Sequence, residues 1–180
     1  MARYVAFLRG VNLGSKRRIT NERLGGAVEG LGHGGVATFR ASGNVIFDAG
    51  RDTGADRIRK RLEAGLAQSL GFDVTVFLRS ARQVRAIASH DPFPVAAAEP
   101  SAGKAQVALL PGPPGRSARS RALALASGED RLGIRGSELH WLPSGRISDS
   151  ELDLRALEAL VGPWTMRTMG TIEQIAARYC

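Results

Sequence analysis

The sequence predicts an α+β fold built as two ferredoxin-like β-α-β-β-α-β subdomains in tandem, the second less regular than the first. Three observations predict it. Strand-like apolar runs and period-3.6 apolar stripes follow the order strand, helix, strand, strand, helix, strand over residues 3–78. A stretch rich in Pro and Ala occupies 91–103 and reads as a linker. Beyond it the same order begins again.

Residues 3–9 read as a strand, with Tyr4, Val5, Phe7 and Leu8 supplying aromatic and apolar character. A polar, glycine-bearing loop spans 10–19. Leu24, Val28 and Leu31 then recur at helical spacing and stop at Gly32. Strands at 36–40 and 44–48 flank Ala41-Ser42-Gly43 as a hairpin. Ile58, Leu62, Leu66 and Leu70 mark a second helix ended by Gly71, and 73–78 is a fourth strand. The box Ser80-Ala81-Arg82-Gln83 opens a third helix. In the second half, strands are expected at 104–110, 131–135, 138–142 and 164–166, and helices at 116–127 and 151–161. A last helix, capped at Thr171, carries Ile172, Ile175, Ala176 and Tyr179 on one face. The expected division is an N-terminal subdomain at 1–79, a helix and linker at 80–103, and a C-terminal subdomain at 104–180.

A chain of 180 residues, 43% hydrophobic, can build its core without disulfide or metal. No apolar run approaches the ~20 residues of a membrane span. The opening residues are interrupted by Arg9 too soon for a secretory signal, so a cytoplasmic protein is expected. The single Cys180 can form no intrachain bridge. The unusual quantity is a net charge of +8. Residues 1–79 hold 13 basic and 7 acidic groups, and the remainder hold 12 and 10, so the excess is mainly N-terminal. Only three of the 25 basic residues are Lys, a bias that a GC-rich genome also produces.

Several blocks carry a resemblance. Leu8-Arg9-Gly10-Val11-Asn12-Leu13-Gly14, Thr38 through Phe47, Asp91-Pro92-Phe93-Pro94, Pro143 through Leu152, and Thr165-Met166-Arg167 followed by Thr171 are the residues concerned. Together they resemble an uncharacterised bacterial family, domain of unknown function 1697. The resemblance implies an α+β fold with ferredoxin-like subdomains and supplies no reaction. The sequence departs from the family pattern at Thr168 and Met169, where Asn and Trp are usual, and at Glu151, where Lys is usual.

In a β-α-β-β-α-β unit the first two strands run parallel with the third antiparallel between them. The loop leaving strand one and the hairpin joining strands two and three therefore share one end of the sheet. That convergence brings Arg9, Gly10, Asn12, Gly14, Lys16 and Arg17 to Arg40, Ser42 and Asn44. Cations, glycine backbone and a helix N-terminus together suit a phosphate or carboxylate, with Arg9 and Arg40 as bidentate ligands. The same residues also read as ordinary turns and solvated charge. The loop length favours the site, because a strand-to-helix connection usually takes about 2–6 residues and this one spends roughly ten. Ser150 and Arg167, in blocks that carry the resemblance, are secondary candidates.

Other chemistries find little support. The 10–16 segment has neither P-loop nor dinucleotide-binding spacing. His33, His90 and His140 are scattered without metal-ligand spacing, so no metal or cofactor is expected. Asp149-Ser150-Glu151 reads as a helix N-cap rather than an acid pair. The third strand lacks the signature of RNA-recognition modules, and Phe7, Phe39 and Phe47 read as core. The leading expectation is a protein binding a small phosphate- or carboxylate-bearing ligand, with catalysis undecided for want of a general base. A nonspecific nucleic-acid-binding protein using the same cations is the alternative, and a structural or partner-binding module is a third reading.

Overall fold

A computed structural model describes residues 2–12, 18–50, 54–93, 103–126 and 129–180. The chain divides into two units. One comprises Met1–Ala86 with Ile175–Cys180, the other Ile87–Gln174. Each contains a four-stranded antiparallel sheet of ferredoxin-like topology.

In the first unit the elements are β1 (Arg3–Arg9), α1 (Asn21–Gly30), β2 (Gly34–Thr38), β3 (Asn44–Asp48), α2 (Ala55–Leu70) and β4 (Thr75–Ser80). The sheet order is β2-β3-β1-β4. Alternation along the strands sends Ala6, Leu8, Val45, Phe47, Val76 and Leu78 toward Leu24 and Val28 of α1 and Ile58, Leu62 and Leu66 of α2. Val5, Phe7, Ile46 and Phe77 on the other face are also buried, which is why β1 and β3 read as continuous apolar runs. Thr20 caps α1 by accepting from the Arg23 amide at 3.2 Å. Gly71, at φ 81°, ends α2 in the left-handed region. The box opening α3 (Ala81–Ala88) forms as expected: the Gln83 amide donates to Ser80 Oγ at 3.3 Å, and the Ser80 amide donates to Gln83 Oε1 at 2.8 Å.

The second unit holds β5 (Gln106–Leu109), α4 (Arg116–Leu123), β6 (Arg131–Arg135), β7 (Glu138–Leu142), α5 (Leu154–Val161) and β8 (Thr165–Thr168), in sheet order β6-β7-β5-β8. Ala108, Ile134, Leu139 and Trp141 meet Ala122, Leu157, Val161 and Trp164 in its core. Helix α6 (Met169–Tyr179) closes the chain. Among the described residues no helix is long and apolar enough to cross a membrane.

Several element ends differ from the sequence expectation, each for a local reason. β2 runs Gly34–Thr38 rather than the expected 36–40: it starts at a register shift between Gly34 and Ala37, with Gly35 at φ 56°, and ends before Arg40 turns into the left-handed region. Helix α4 stops at Leu123, where the next amides bond three residues back, Leu125 to Ala122 and Ala126 to Leu123; Ser127 lies outside the described residues. Helix α5 is capped by Asp153, whose carboxylate accepts from the amides of Arg155 and Ala156, so Asp149-Ser150-Glu151 is not its cap. Instead Ile147–Asp149 form a 3-10 turn. Helix α6 starts at Met169 because Thr168 Oγ1 accepts from the Thr171 amide at 3.2 Å.

Candidate functional site

The register of the first sheet builds the predicted convergence. Phe7 pairs with Asn44 near the end of β1, and the Leu8 amide donates to the Gly43 carbonyl at 2.8 Å. Just beyond, the chain turns through Gly10 at φ 87° and Asn12 at φ 57°. Asn12 then ties three segments together. Its Nδ2 donates to the Ala41 carbonyl in the hairpin, and its Oδ1 accepts from the Ile19 amide at 2.8 Å. Asn44 is fully buried and donates to the Phe39 carbonyl at 2.8 Å and to Ser42 Oγ at 2.9 Å. Gly43 sits at φ 71°, where a Cβ would come within 2.5 Å of Val11 Cγ2. Asn12, Ser42, Gly43 and Asn44 are thus the scaffold of this end. The cations it carries are Arg9, half-buried at the end of β1, and Arg18 and Arg40, both exposed. Gly14, Lys16 and Arg17 lie outside the described residues.

Arg40 also occupies the left-handed region, at φ 57°. An L side chain there costs about 1–2 kcal/mol. The conformation sets its guanidinium carbon 5.5 Å over the Phe39 ring. Phe39 is half-buried rather than a core residue. It meets Tyr179 edge to face, with centroids 6.1 Å apart and planes at 72°. Arg178 in turn lies 5.7 Å over Tyr179. This row escaped the sequence reading because about 140 residues separate its halves. Its one visible sign is a pair of aromatic–arginine neighbours, Phe39-Arg40 and Arg178-Tyr179.

The secondary candidates belong to the second unit, Ser150 beside Asp130 and Arg167 on β8. Ser150 Oγ donates to Asp130 Oδ2 and accepts from the Leu152 amide at 3.1 Å. Arg167 is buried on β8, where its guanidinium donates to Thr165 Oγ1 at 2.9 Å and the Met166 carbonyl at 2.7 Å. Burial pulls its pKa down to about 10.

Asp130 is the polar centre that sequence reading missed. It is buried, and besides Ser150 it accepts from the Trp141 indole at 3.0 Å and the Ser144 amide at 2.8 Å. Burial pushes its carboxyl up, but the bonds from Ser150, Ser144 and Trp141 outweigh that and hold it below its ordinary value. On the opposite face of β7, His140 is buried with its Nδ1 unpartnered and its ring 5.2 Å from that of His90. Burial first, then His90 and Arg135, lowers its pKa to about 4.

Fold and site together define an α+β protein of two ferredoxin-like units, one of which presents a basic loop and hairpin at a single sheet end. The model of DUF1697, described as a protein of unknown function, matches residues 1–140, and the chain belongs to that family. The solved structure of the conserved bacterial protein SP0830 from Streptococcus pneumoniae is similar at 20% identity, with a TM-score of 0.71 over 98% of this chain and 97% of that one. A likeness at that identity carries the fold alone. No curated protein matches the chain.

Proposed function

We propose that the protein binds a small phosphate- or carboxylate-bearing ligand, a cytoplasmic metabolite, at the end of the first sheet formed by the loop after β1 and the β2–β3 hairpin. The observation that carries the reading is the double hydrogen bonding of Asn12, to the Ala41 carbonyl and from the Ile19 amide. It holds the segments bearing Arg9, Arg18 and Arg40 together, and guanidinium groups suit the planar oxygens of phosphate and carboxylate. Scaffold and ligand roles separate here: the amides and glycines fix the backbone, and the arginines meet the anion. The same reading takes 1–79 as the ligand-binding subdomain, 80–103 as helix and linker, and 104–180 as the second subdomain.

Melting temperature against inorganic phosphate, ribose 5-phosphate and citrate tests it. Ligand at one hundred times Kd stabilises by about 2.7 kcal/mol, a rise of roughly 5–10 °C for a chain of this size. Arg9→Ala and Arg40→Ala should each abolish the rise while leaving the unliganded value near wild type. No rise with any anion sinks the reading. If the arginines instead serve nucleic acid, affinity for an oligonucleotide should fall linearly with salt on a log–log plot, with no response to small anions.

A further inference from the structure

The row Arg40–Phe39–Tyr179–Arg178 stands at the hairpin end where the anion site is proposed. Phe39 lies just beyond β2, and its amide bonds to the Asn44 carbonyl. By register it shares the sheet face of Asn44, Phe7 and Arg9. One strand, β3, intervenes between β1 and β2, so Phe39 stands about 10 Å from Phe7 across the sheet, and Arg9, two residues further along β1, is about 12 Å from it. Both rings are half-buried and both flanking arginines exposed, so this edge presents ring surface and guanidinium planes to solvent. Arg85 donates to the Cys180 carbonyl beside Tyr179, which ties down the end of α6. Phe7, which shares this sheet face, is wholly buried, and Phe47 packs against the helices on the other face, so any stacking falls to this row.

A tether for the end of α6 needs only apolar contact. It does not call for a left-handed arginine over one ring and an exposed arginine over the other. Flat heteroaromatic rings stack on aromatic faces and on guanidinium planes alike, and phosphates bind the arginine edges. We infer that the anion bound at this end carries a flat heteroaromatic ring, as a nucleotide does, and that Phe39, Tyr179 and Arg178 receive the ring while Arg9 and Arg40 face the phosphate. The inference rests on the anion-binding reading and adds the class of ligand.

Calorimetric titration of the full chain with adenosine 5′-monophosphate, ribose 5-phosphate and adenosine tests it. The nucleotide should bind about ten-fold or more tighter than ribose 5-phosphate, the gain expected of one stacked base. Tyr179→Leu keeps apolar bulk but removes the ring. It should reduce the nucleotide to the affinity of ribose 5-phosphate, leave ribose 5-phosphate unchanged, and melt like wild type. Phe39→Leu should act in the same direction. Equal binding of nucleotide and sugar phosphate to wild type overturns the ring inference and leaves the anion site standing, as does a full nucleotide preference in Tyr179→Leu. Failure of both ligands to bind overturns the two together. A ten-residue oligouridylate separates the sources of this chemistry. Tighter binding than the mononucleotide, falling steeply with salt and lost in Tyr179→Leu, upholds the platform and assigns it to a strand. A mononucleotide preference with a shallow salt slope upholds it for a free nucleotide.

Discussion

Replacing Asp130 tests whether a buried carboxylate staples the second unit. Asp130→Ala strands the Trp141 indole N–H in the core, where Trp141 is 1% exposed. A buried donor without a partner costs about 1–3 kcal/mol, and bonds to a charged acceptor contribute about 1.5–3 each. The Ser144 amide and Ser150 hydroxyl lie nearer solvent, so water replaces part of what they lose. The total comes to about 3–5 kcal/mol, or roughly 10 °C in melting temperature for a chain of this length. Asp130→Asn retains shape and one acceptor oxygen, and should cost about half as much. The pH dependence has a definite sign. The folded carboxyl sits below its ordinary value, so its contribution is present above about pH 4 and is lost as pH falls through the lowered folded value. The gap in melting temperature between wild type and Asp130→Asn should therefore close below pH 4. Trp141 emission and calorimetry at pH 7, 5, 4 and 3 read both effects. A variant melting within 2 °C of wild type, or a gap constant from pH 7 to 3, would falsify the staple.

Three further outcomes are expected. His140 is held neutral by burial, so its contribution is intact above about pH 6.5 and disappears as pH falls toward 4, on the order of 2 kcal/mol. Urea midpoints across that range should decline less in His140→Phe, and parallel declines would refute the assignment. Gly43→Ala puts a Cβ 2.5 Å from Val11 Cγ2 and 3.0 Å from Leu8 Cβ at φ 71°, for a loss of about 2–4 kcal/mol in urea unfolding; a neutral change would show the hairpin can shift. Asn12→Ala should cost about 2–3 kcal/mol, and Asn12→Gly about 1 kcal/mol less because φ 57° is free to glycine. Equal values for the two substitutions would mean the turn does not persist.

Local periodicity made the fold legible. Ile58, Leu62, Leu66 and Leu70 lie on one face of α2, all buried, and the Ser80–Gln83 box caps α3. Errors arose where a local signal had two readings. The strand expected at 36–40 starts two residues earlier, at Gly34, where the register shifts before Ala37. Asp149-Ser150-Glu151 resembles a cap, yet Asp153, nearer the apolar stripe, takes that place. The ferredoxin-like strand order put the 9–18 loop and the 40–44 hairpin at one sheet end, and within the described residues Asn12 bonds to Ala41 and Ile19 there. What stayed hidden was long-range and polar. Asp130 carries no local signal, because its partners lie 11 to 20 positions onward. Phe39 looks like core until Tyr179 is set beside it.

The segment 175–180 belongs to the same unit as the first 86 residues, so the second unit is nested within the first along the chain. This arrangement sets the order of assembly during synthesis. Phe39 leaves the ribosome about 140 residues ahead of Tyr179, and at typical elongation rates that interval is roughly 7–28 s. The nested unit, contiguous from 87 to 174, is available to fold during it. The first unit is finished only when the last turn of α6 arrives. A premature stop near residue 170 would thus spare most of the second unit's sequence and leave the first one open.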